Sequence, residues 1–239
     1  EYIATGHYAQ VRKENGRYVV SKGIDEWKDQ SYVLWGLSQE CLSRTIFPMG
    51  QYHKEDIKQM AIDRGYEELA TKSESYEICF IPDNDYRGFL KRKVEGLEEQ
   101  VKGGNFINTK GEVIGTHDGY PFYTIGQRKL GVSFGLEASY VIEIKPETNE
   151  VVVGSKEDLN KQEMVVKGLN YIKYDSIPDN FESLTKVRYK HQGEQSSLTN
   201  MDKEIKVLFH KKVEGIAPGQ SAVFYEGNDV LGGGFIAKQ

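Results

Sequence analysis

The stretch from Tyr140 to Gln239 constrains the fold most. It is a succession of short runs, YVIEIKPETNEVVVG, LTKVRYKH, EIKVLFHK and GIAPGQSAVFYEGNDVLGGGFIAK, in which apolar and polar residues alternate between turn signals. Period-two alternation buries one face of an extended segment, and each run is too short to be an amphipathic helix. Evenly spaced short strands of this kind predict a small antiparallel barrel or sandwich.

Upstream the pattern is mixed. YIATGH reads as a short buried strand, and YAQVRKENGRYVV as a hairpin turning at Glu14-Asn15-Gly16. In KDQSYVLWGLSQECLSRTIFPMG, Leu34, Leu37, Cys41 and Leu42 follow helical spacing, with Ser38 placed to cap a helix start. That spacing puts Cys41 on an apolar stripe, as a packed thiol. HKEDIKQMAIDRGYEELA predicts an amphipathic helix with Ile57, Met60 and Ala61 inward and Gly65 at its end. DYRGFLKRKV predicts another, capped by Asn84 or Asp85, with Tyr86, Phe89, Leu90 and Val94 on one face. Between these two helices lies the connector SESYEICFIPDN, which carries Cys79. From about Gly103 the chain becomes glycine-rich, with short strands and turns.

Composition removes whole classes of function. Of 239 residues, 38% are hydrophobic and 28% charged, and no apolar run is long enough to span a membrane. Two cysteines, without a metal-ligand spacing, fit a reducing cytoplasm and not a disulfide scaffold. A net charge of −5 argues against general nucleic-acid binding while leaving room for local cationic patches. The chain opens at Glu1 directly in a strand, which predicts a start partway through a domain.

Five constellations could carry chemistry, each with a plainer structural rival. Alternation in LTKVRYKH sets Lys186, Arg188 and Lys190 on one face and Val187, Tyr189 and His191 on the other, a row suited to a phosphate backbone or to plain solvation. TIGQRKLGVSFG joins Gly126, Gly131 and Gly135 to Arg128 and Lys129 without matching a Walker loop, so it is a binding loop or simply a mobile one. In ATGHY, Gly6 ends a strand where nucleotide sites form in α/β sheets, with His7 beside it, yet glycine ends many strands for conformational reasons. In KDQS, Lys28, Asp29 and Gln30 form a polar cluster that helix capping by Asp29 also explains. Cys79 has no neighbouring base in sequence; its position on a connector near Ser73 and Ser75 suits reactivity, and its apolar neighbours suit packing.

The order of motifs is more specific than any one of them. ATGHY, KDQSYVLWGL, FPMG, SESYEICFI, GQRKLG, PGQSAVFY and LGGGFI, taken in succession, resemble the tRNA-specific 2-thiouridylases, which replace the C2 oxygen of the wobble uridine with sulfur. The resemblance runs from Ala4 to Ile236. It implies an α/β remnant of an adenine-nucleotide-binding domain at residues 1–45. A mixed α+β central domain follows at 46–136, then an all-β, translation-factor-like barrel at 137–239. Family members carry an SGGxDS motif and a first catalytic cysteine in the nucleotide domain; neither is in this sequence, so the chain alone is expected to be inactive.

The family's chemistry uses ATP, with Mg²⁺, to adenylate the uridine oxygen. By resemblance Cys79 is the second catalytic cysteine, which receives sulfur from a relay protein as a persulfide that the first cysteine then attacks. Gly6 corresponds to a nucleotide contact, and His7, Lys28, Asp29, Gln30, Arg188, Tyr189 and Gln220 to tRNA contacts. The implied partners are tRNA and a sulfur-donor relay, with no membrane, in the cytoplasm. The rival readings are a stand-alone RNA-binding module without catalysis and a thiol-redox or sulfur-carrier protein without RNA.

Overall fold

The computed structural model describes residues 1–72, 81, 83, 85–130 and 139–238, and it divides into two compact units. One comprises residues 1–72, 162–213 and 217–239; the other is drawn from 73–161 and 214–216.

The first unit is built on a closed barrel of six strands: β9 (Asn160–Tyr171), β10 (Phe181–Lys186), β11 (Glu194–Met201), β12 (Glu204–Glu214), β13 (Ser221–Glu226) and β14 (Asp229–Ile236). They are ordered β13-β10-β11-β12-β9-β14, and β14 pairs back onto β13, which closes the ring. Closure leaves no free edge among them. Alternation is clean in β12, where Ile205, Val207 and Phe209 are buried while Leu208 and His210 are exposed. In contrast, β13 is buried on both faces from Ala222 to Tyr225. Its outer face is roofed by the segment that contains a 3-10 turn at Ser31–Leu34 and the helix α1 (Gln39–Ser43). Tyr32, Leu34, Trp35, Leu42 and Phe47 from that roof pack on Val223, Tyr225 and Val230 of the barrel wall. The run Gly232-Gly233-Gly234 makes this possible, because a Cβ on Gly233 would lie 3.0 Å from the Trp35 ring and 2.6 Å from the Ala222 carbonyl oxygen.

A hairpin of β2 (Ala9–Glu14) and β3 (Arg17–Lys22) continues the sheet beyond β14. Its turn is at Asn15-Gly16, both at positive φ (48° and 83°), as the Asn-Gly pair predicts. Ile3–Ala4 (β1) pairs in parallel with Thr45–Ile46 (β4). The sequence expected β1 to be buried, but Ile3 is 61% exposed, since no described residue covers that face of a two-residue strand. Further on, α2 (Lys54–Ile62) starts at His53 with a capping box to Asp56, half-buries Ile57, Met60 and Ala61, and is followed by a short α3 (Glu67–Thr71).

The second unit holds α4 (Tyr86–Lys93), capped by the Asp85 carboxylate on Gly88 N at 2.8 Å, and α5 (Leu97–Val101). Its sheet contains β5 (Gly104–Asn108), β6 (Val113–His117), β7 (Tyr140–Lys145) and β8 (Glu150–Gly154) in the order β6-β5-β8-β7. The sequence reading assigned residues 140–154 to the C-terminal barrel. Instead β8 pairs in parallel with β5, and among the described residues β7 pairs only with β8. Alternation fixes which face of a strand is buried but not which strand it pairs with, and the buried Val151-Val152-Val153 run suits a strand with neighbours on both sides. Overall the chain is mostly β with few helices, an α/β remnant, a mixed α+β part and a C-terminal barrel, as expected.

The described helices include none long and apolar enough to cross a membrane.

Candidate functional site

Cys79, with Ser73 and Ser75, lies outside the described residues, as do Gly131 and Gly135. Gly6, His7, Lys28, Asp29, Gln30, Lys186, Arg188, Tyr189, Lys190 and Gln220 belong to the first unit, and Gly126, Arg128 and Lys129 to the second.

The Lys28–Gln30 tripeptide is held by hydrogen bonds that divide its labour. Asp29 Oδ1 accepts from the backbone N–H of Gly23 (3.2 Å) and Ser31 (3.1 Å), and its Oδ2 accepts from Ser31 Oγ (2.9 Å). Gln30 is locked to Tyr8 in both directions: its Oε1 accepts from Tyr8 N (3.0 Å) and its own N–H donates to the Tyr8 carbonyl (2.9 Å). This pins the tripeptide against the strand that follows Gly6 and His7. His7 Nδ1 lies 2.9 Å from Thr5 Oγ1, and its ring meets Phe47 edge-on at 6.2 Å. Gly6 is exposed, and a Cβ added there would meet nothing within 4 Å.

Ser31 carries the tripeptide across to the barrel. Its Oγ lies 3.1 Å from the Tyr225 hydroxyl, which burial holds well above the usual tyrosine range. Beside it, Tyr32 OH donates to the Ser221 carbonyl at 2.8 Å, next to Gln220, and burial pushes this phenol up to about 12. The Tyr32 ring also faces Tyr189 at 6.2 Å. Lys28–Gln30, Tyr189 and the Gln220 turn are therefore joined through two adjacent residues, Ser31 and Tyr32. Gln220 itself is exposed at the rim of a turn closed by Gly219 (φ +85°).

The strand LTKVRYKH is corrected here. β10 ends at Lys186, and Arg188 to His191 form a turn closed by His191 N on the Arg188 carbonyl (3.0 Å). Arg188, Tyr189 and Lys190 are all exposed on that turn and do not alternate between faces. The chain must reverse to form β11, and its return through Gly193 (φ +97°) puts that glycine against Leu184. His191 faces inward, accepting from Val187 N at 3.4 Å; burial and then the nearby Arg188 and Lys186 hold it below the ordinary histidine range. A second correction concerns Cys41, which is exposed. The residues from Leu34 to Leu42 are not one helix, because the chain breaks at Gly36–Ser38; α1 buries Leu42 instead. The Ser38 cap is present, accepting from Cys41 N at 3.2 Å.

In the second unit Arg128 and Lys129 are exposed, while Gln127 is used by the fold: its Oε1 accepts from Thr124 N (3.1 Å) and its Nε2 donates to the Lys129 carbonyl (3.0 Å). Sequence reasoning missed Ser31, Tyr32 and Tyr225 as the residues that join these motifs, and the signal for them was that all three stand inside quoted motifs, KDQSYVLWGL and PGQSAVFY.

Three domain families match the chain in order: a tRNA methyl transferase HUP domain over residues 1–83, a tRNA methyl transferase PRC-barrel domain over 88–155, and an aminomethyltransferase β-barrel domain over 161–236. The tRNA-specific 2-thiouridylase MnmA of Cytophaga hutchinsonii is 58% identical over 99% of this chain and 64% of its own length. That of Amoebophilus asiaticus is also 58% identical, over 99% and 63%. One from Clostridium botulinum strain Hall is 42% identical over 100% and 67%. The chain belongs to the tRNA-specific 2-thiouridylase family. It spans a little under two thirds of the length of the first two relatives. The borders of the matched PRC-barrel and β-barrel domains, 155 and 161, fall where β8 ends and β9 begins, as the strand pairing of this family member does.

Proposed function

We propose that this chain is the tRNA-docking and sulfur-carrying part of an ATP-dependent enzyme that 2-thiolates the wobble uridine of tRNA. The observation that carries the reading is the junction at Ser31 and Tyr32, which links three separate motifs of the barrel unit. Lysine, arginine and tyrosine are the residue types that bind phosphates and stack bases. Two of the family descriptions speak of methyl transfer and the third of aminomethyl transfer, yet the relatives at 58% identity are thiouridylases, and the functional reading follows them.

In this reading Arg188, Tyr189, His7, Lys28 and Gln220 contact tRNA, while Asp29 and Gln30 shape the surface those contacts use. Gly6 fits a nucleotide contact: it is exposed at the end of the parallel strand β1, with open space where a side chain would stand. When bound, ATP, with Mg²⁺, supplies the adenylyl group that turns the uridine C2 oxygen into a leaving group. Cys79 takes a sulfane sulfur from a relay protein's persulfide, its thiolate attacking the outer sulfur and releasing the donor thiolate. A second cysteine elsewhere in the whole enzyme attacks the Cys79 persulfide, forming a disulfide and freeing hydrosulfide for the uridine. The enzyme works in the cytoplasm, where reductants reset that disulfide. This chain by itself binds tRNA without thiolating it.

The test is thiolation of tRNA by the full-length protein with ATP and a persulfide donor, read on mercury-containing gels. Cys79→Ala should abolish the thiolated product while leaving tRNA binding intact. Undiminished thiolation by that variant would remove Cys79 from the mechanism.

A further inference from the structure

Two lysines on the barrel unit share one aromatic ring. The ammonium of Lys22, at the end of β3, lies 5.1 Å from the centroid of Tyr225, and that of Lys186, at the end of β10, lies 5.5 Å from the same centroid. Each strand delivers its lysine independently. Lys186 stands opposite Val223 and diagonal to Tyr225 on the same sheet face, and Lys22 is held by its N–H to the Asn228 carbonyl at 2.9 Å. The platform is rigid, since Tyr225 is fully buried and its hydroxyl is engaged by Ser31, which is in turn engaged by Asp29.

A single ammonium over a tyrosine ring is a stable arrangement, but two on one ring repel each other. Burial holds the Lys186 ammonium below its ordinary value; Asp29 opposes this and Lys22 adds to it. Among the described residues neither lysine is in an ion pair. Asp29, the carboxylate that acts on Lys186, already spends its oxygens on Gly23 N, Ser31 N and Ser31 Oγ. Two cations share a fixed platform, close enough for Lys22 to act on the Lys186 ammonium, and the platform adjoins the Ser31–Tyr32 junction that joins the proposed RNA contacts.

We infer that Lys22 and Lys186 form a two-ammonium clamp for a single phosphodiester of bound RNA. The clamp rests on the tRNA-binding reading and adds to it two residues with a defined ligand group. Asp29 is then a positioning residue: acceptor-only, it would repel phosphate directly, and it acts by fixing Ser31 and the Gly23 backbone next to Lys22.

The experiment titrates labelled tRNA with the full-length protein at several potassium chloride concentrations. Lys22→Met and Lys186→Met keep an apolar stem over the ring and remove the charge. Each should weaken binding about tenfold at low salt and lower the slope of log K against log salt by about 0.7–0.9, the share of one phosphate. The double variant should lose no more than that one phosphate, and Arg at both positions should restore the wild-type slope. Methionine variants that keep wild-type affinity and slope overturn the clamp, as does a double variant that loses two independent phosphates. Absence of tRNA binding by the wild-type protein is a separate result, which overturns the functional reading and the clamp with it.

Discussion

Asp229 is the residue whose loss should be felt most widely in the barrel unit. Its carboxylate accepts from Arg12 Nη1 and Nη2 (both 2.9 Å), Ser21 Oγ (2.7 Å) and Lys173 Nζ (2.8 Å), and its side chain is 13% exposed. Asp229 also stands opposite Ser21 in the one described register pair between β14 and β3, so it anchors the hairpin that bears Lys22. Asp229→Asn keeps the shape and removes the charge. Stripping one partner from a buried ion pair costs about 3–5 kcal/mol. Here Arg12 is nearly half exposed and keeps Glu14, and Lys173 keeps Glu226, so the expected loss is smaller, about 2–3 kcal/mol. For a unit of this size that lowers the melting midpoint by about 4–12 °C. Although burial works against the charge, the hydrogen bonds from Arg12, Lys173 and Ser21 hold the Asp229 carboxyl far below its ordinary value. A depressed carboxylate stabilises fully above its unfolded pKa, about 3.9, and ever less as pH falls toward its folded value. Thermal melts of wild type and variant should therefore differ at pH 7 and converge below about pH 4. Equal midpoints at pH 7 would refute the argument that this network holds the hairpin to the barrel.

The remaining predictions concern both units. His117 is buried between Phe106 and Tyr123 (4.9 and 5.3 Å), accepts from Gly119 N at 3.0 Å, and is held below its ordinary value by burial, which outweighs Asp118. The unfolded chain therefore takes a proton that the folded unit refuses, and stability should fall by up to about 1.4 kcal/mol per pH unit below about 6.5, a slope that His117→Gln should flatten in melts between pH 7.5 and 5.5. Gly50→Ala would place a Cβ 1.8 Å from the Ala9 carbonyl oxygen, so denaturant titration should show a loss of about 3 kcal/mol or more. Gln30→Ala removes the acceptor of Tyr8 N and should cost about 1–3 kcal/mol in the same titration, whereas Gln30→Glu, which keeps the acceptor, should cost less. Cys41, exposed, should react with a thiol reagent in the native protein, and Cys41→Ser should leave thiolation unchanged.

The sequence was most legible where structure is local. Asn15-Gly16 set the hairpin, Ser38 and Asp85 capped their helices, and the alternation of EIKVLFHK placed Ile205, Val207 and Phe209 inside the barrel. It failed where pairing is non-local. YVIEIK and EVVVG carry the same alternation as the barrel strands, and what distinguishes them is that they pair with each other and, through EVVVG, with β5. It also failed where regular structure stops. Period-two reasoning ran through LTKVRYKH as if the strand continued, but a chain that must reverse after Lys186 exposes three consecutive side chains on the turn. Cys41 was misplaced for a related reason, because apolar spacing across Gly36–Ser38 imitated one helix where there are two short turns.

The same division explains the Lys28–Gln30 tripeptide. By itself it supports either capping or RNA contact, and the structure shows Asp29 and Gln30 bonded within the protein. Asp29 and Gln30 spend their side-chain acceptors on backbone N–H groups of Gly23, Ser31 and Tyr8, which leaves them little capacity for a ligand. What those bonds fix is the position of Ser31 and Tyr32, and through them the Tyr225 platform, the Ser221 carbonyl and the Tyr189 ring. In the proposed function the motif thus acts on RNA through residues that it holds and does not itself contain. Lys22 and Lys186 become visible only at that step, because their common partner is Tyr225, a buried ring far from Lys22 in the chain. With the clamp positioned by Asp29, Asp29→Ala should weaken tRNA binding with the same loss of salt slope as Lys22→Met; an Asp29 that merely faces the RNA phosphates would instead give stronger binding when its negative charge is removed.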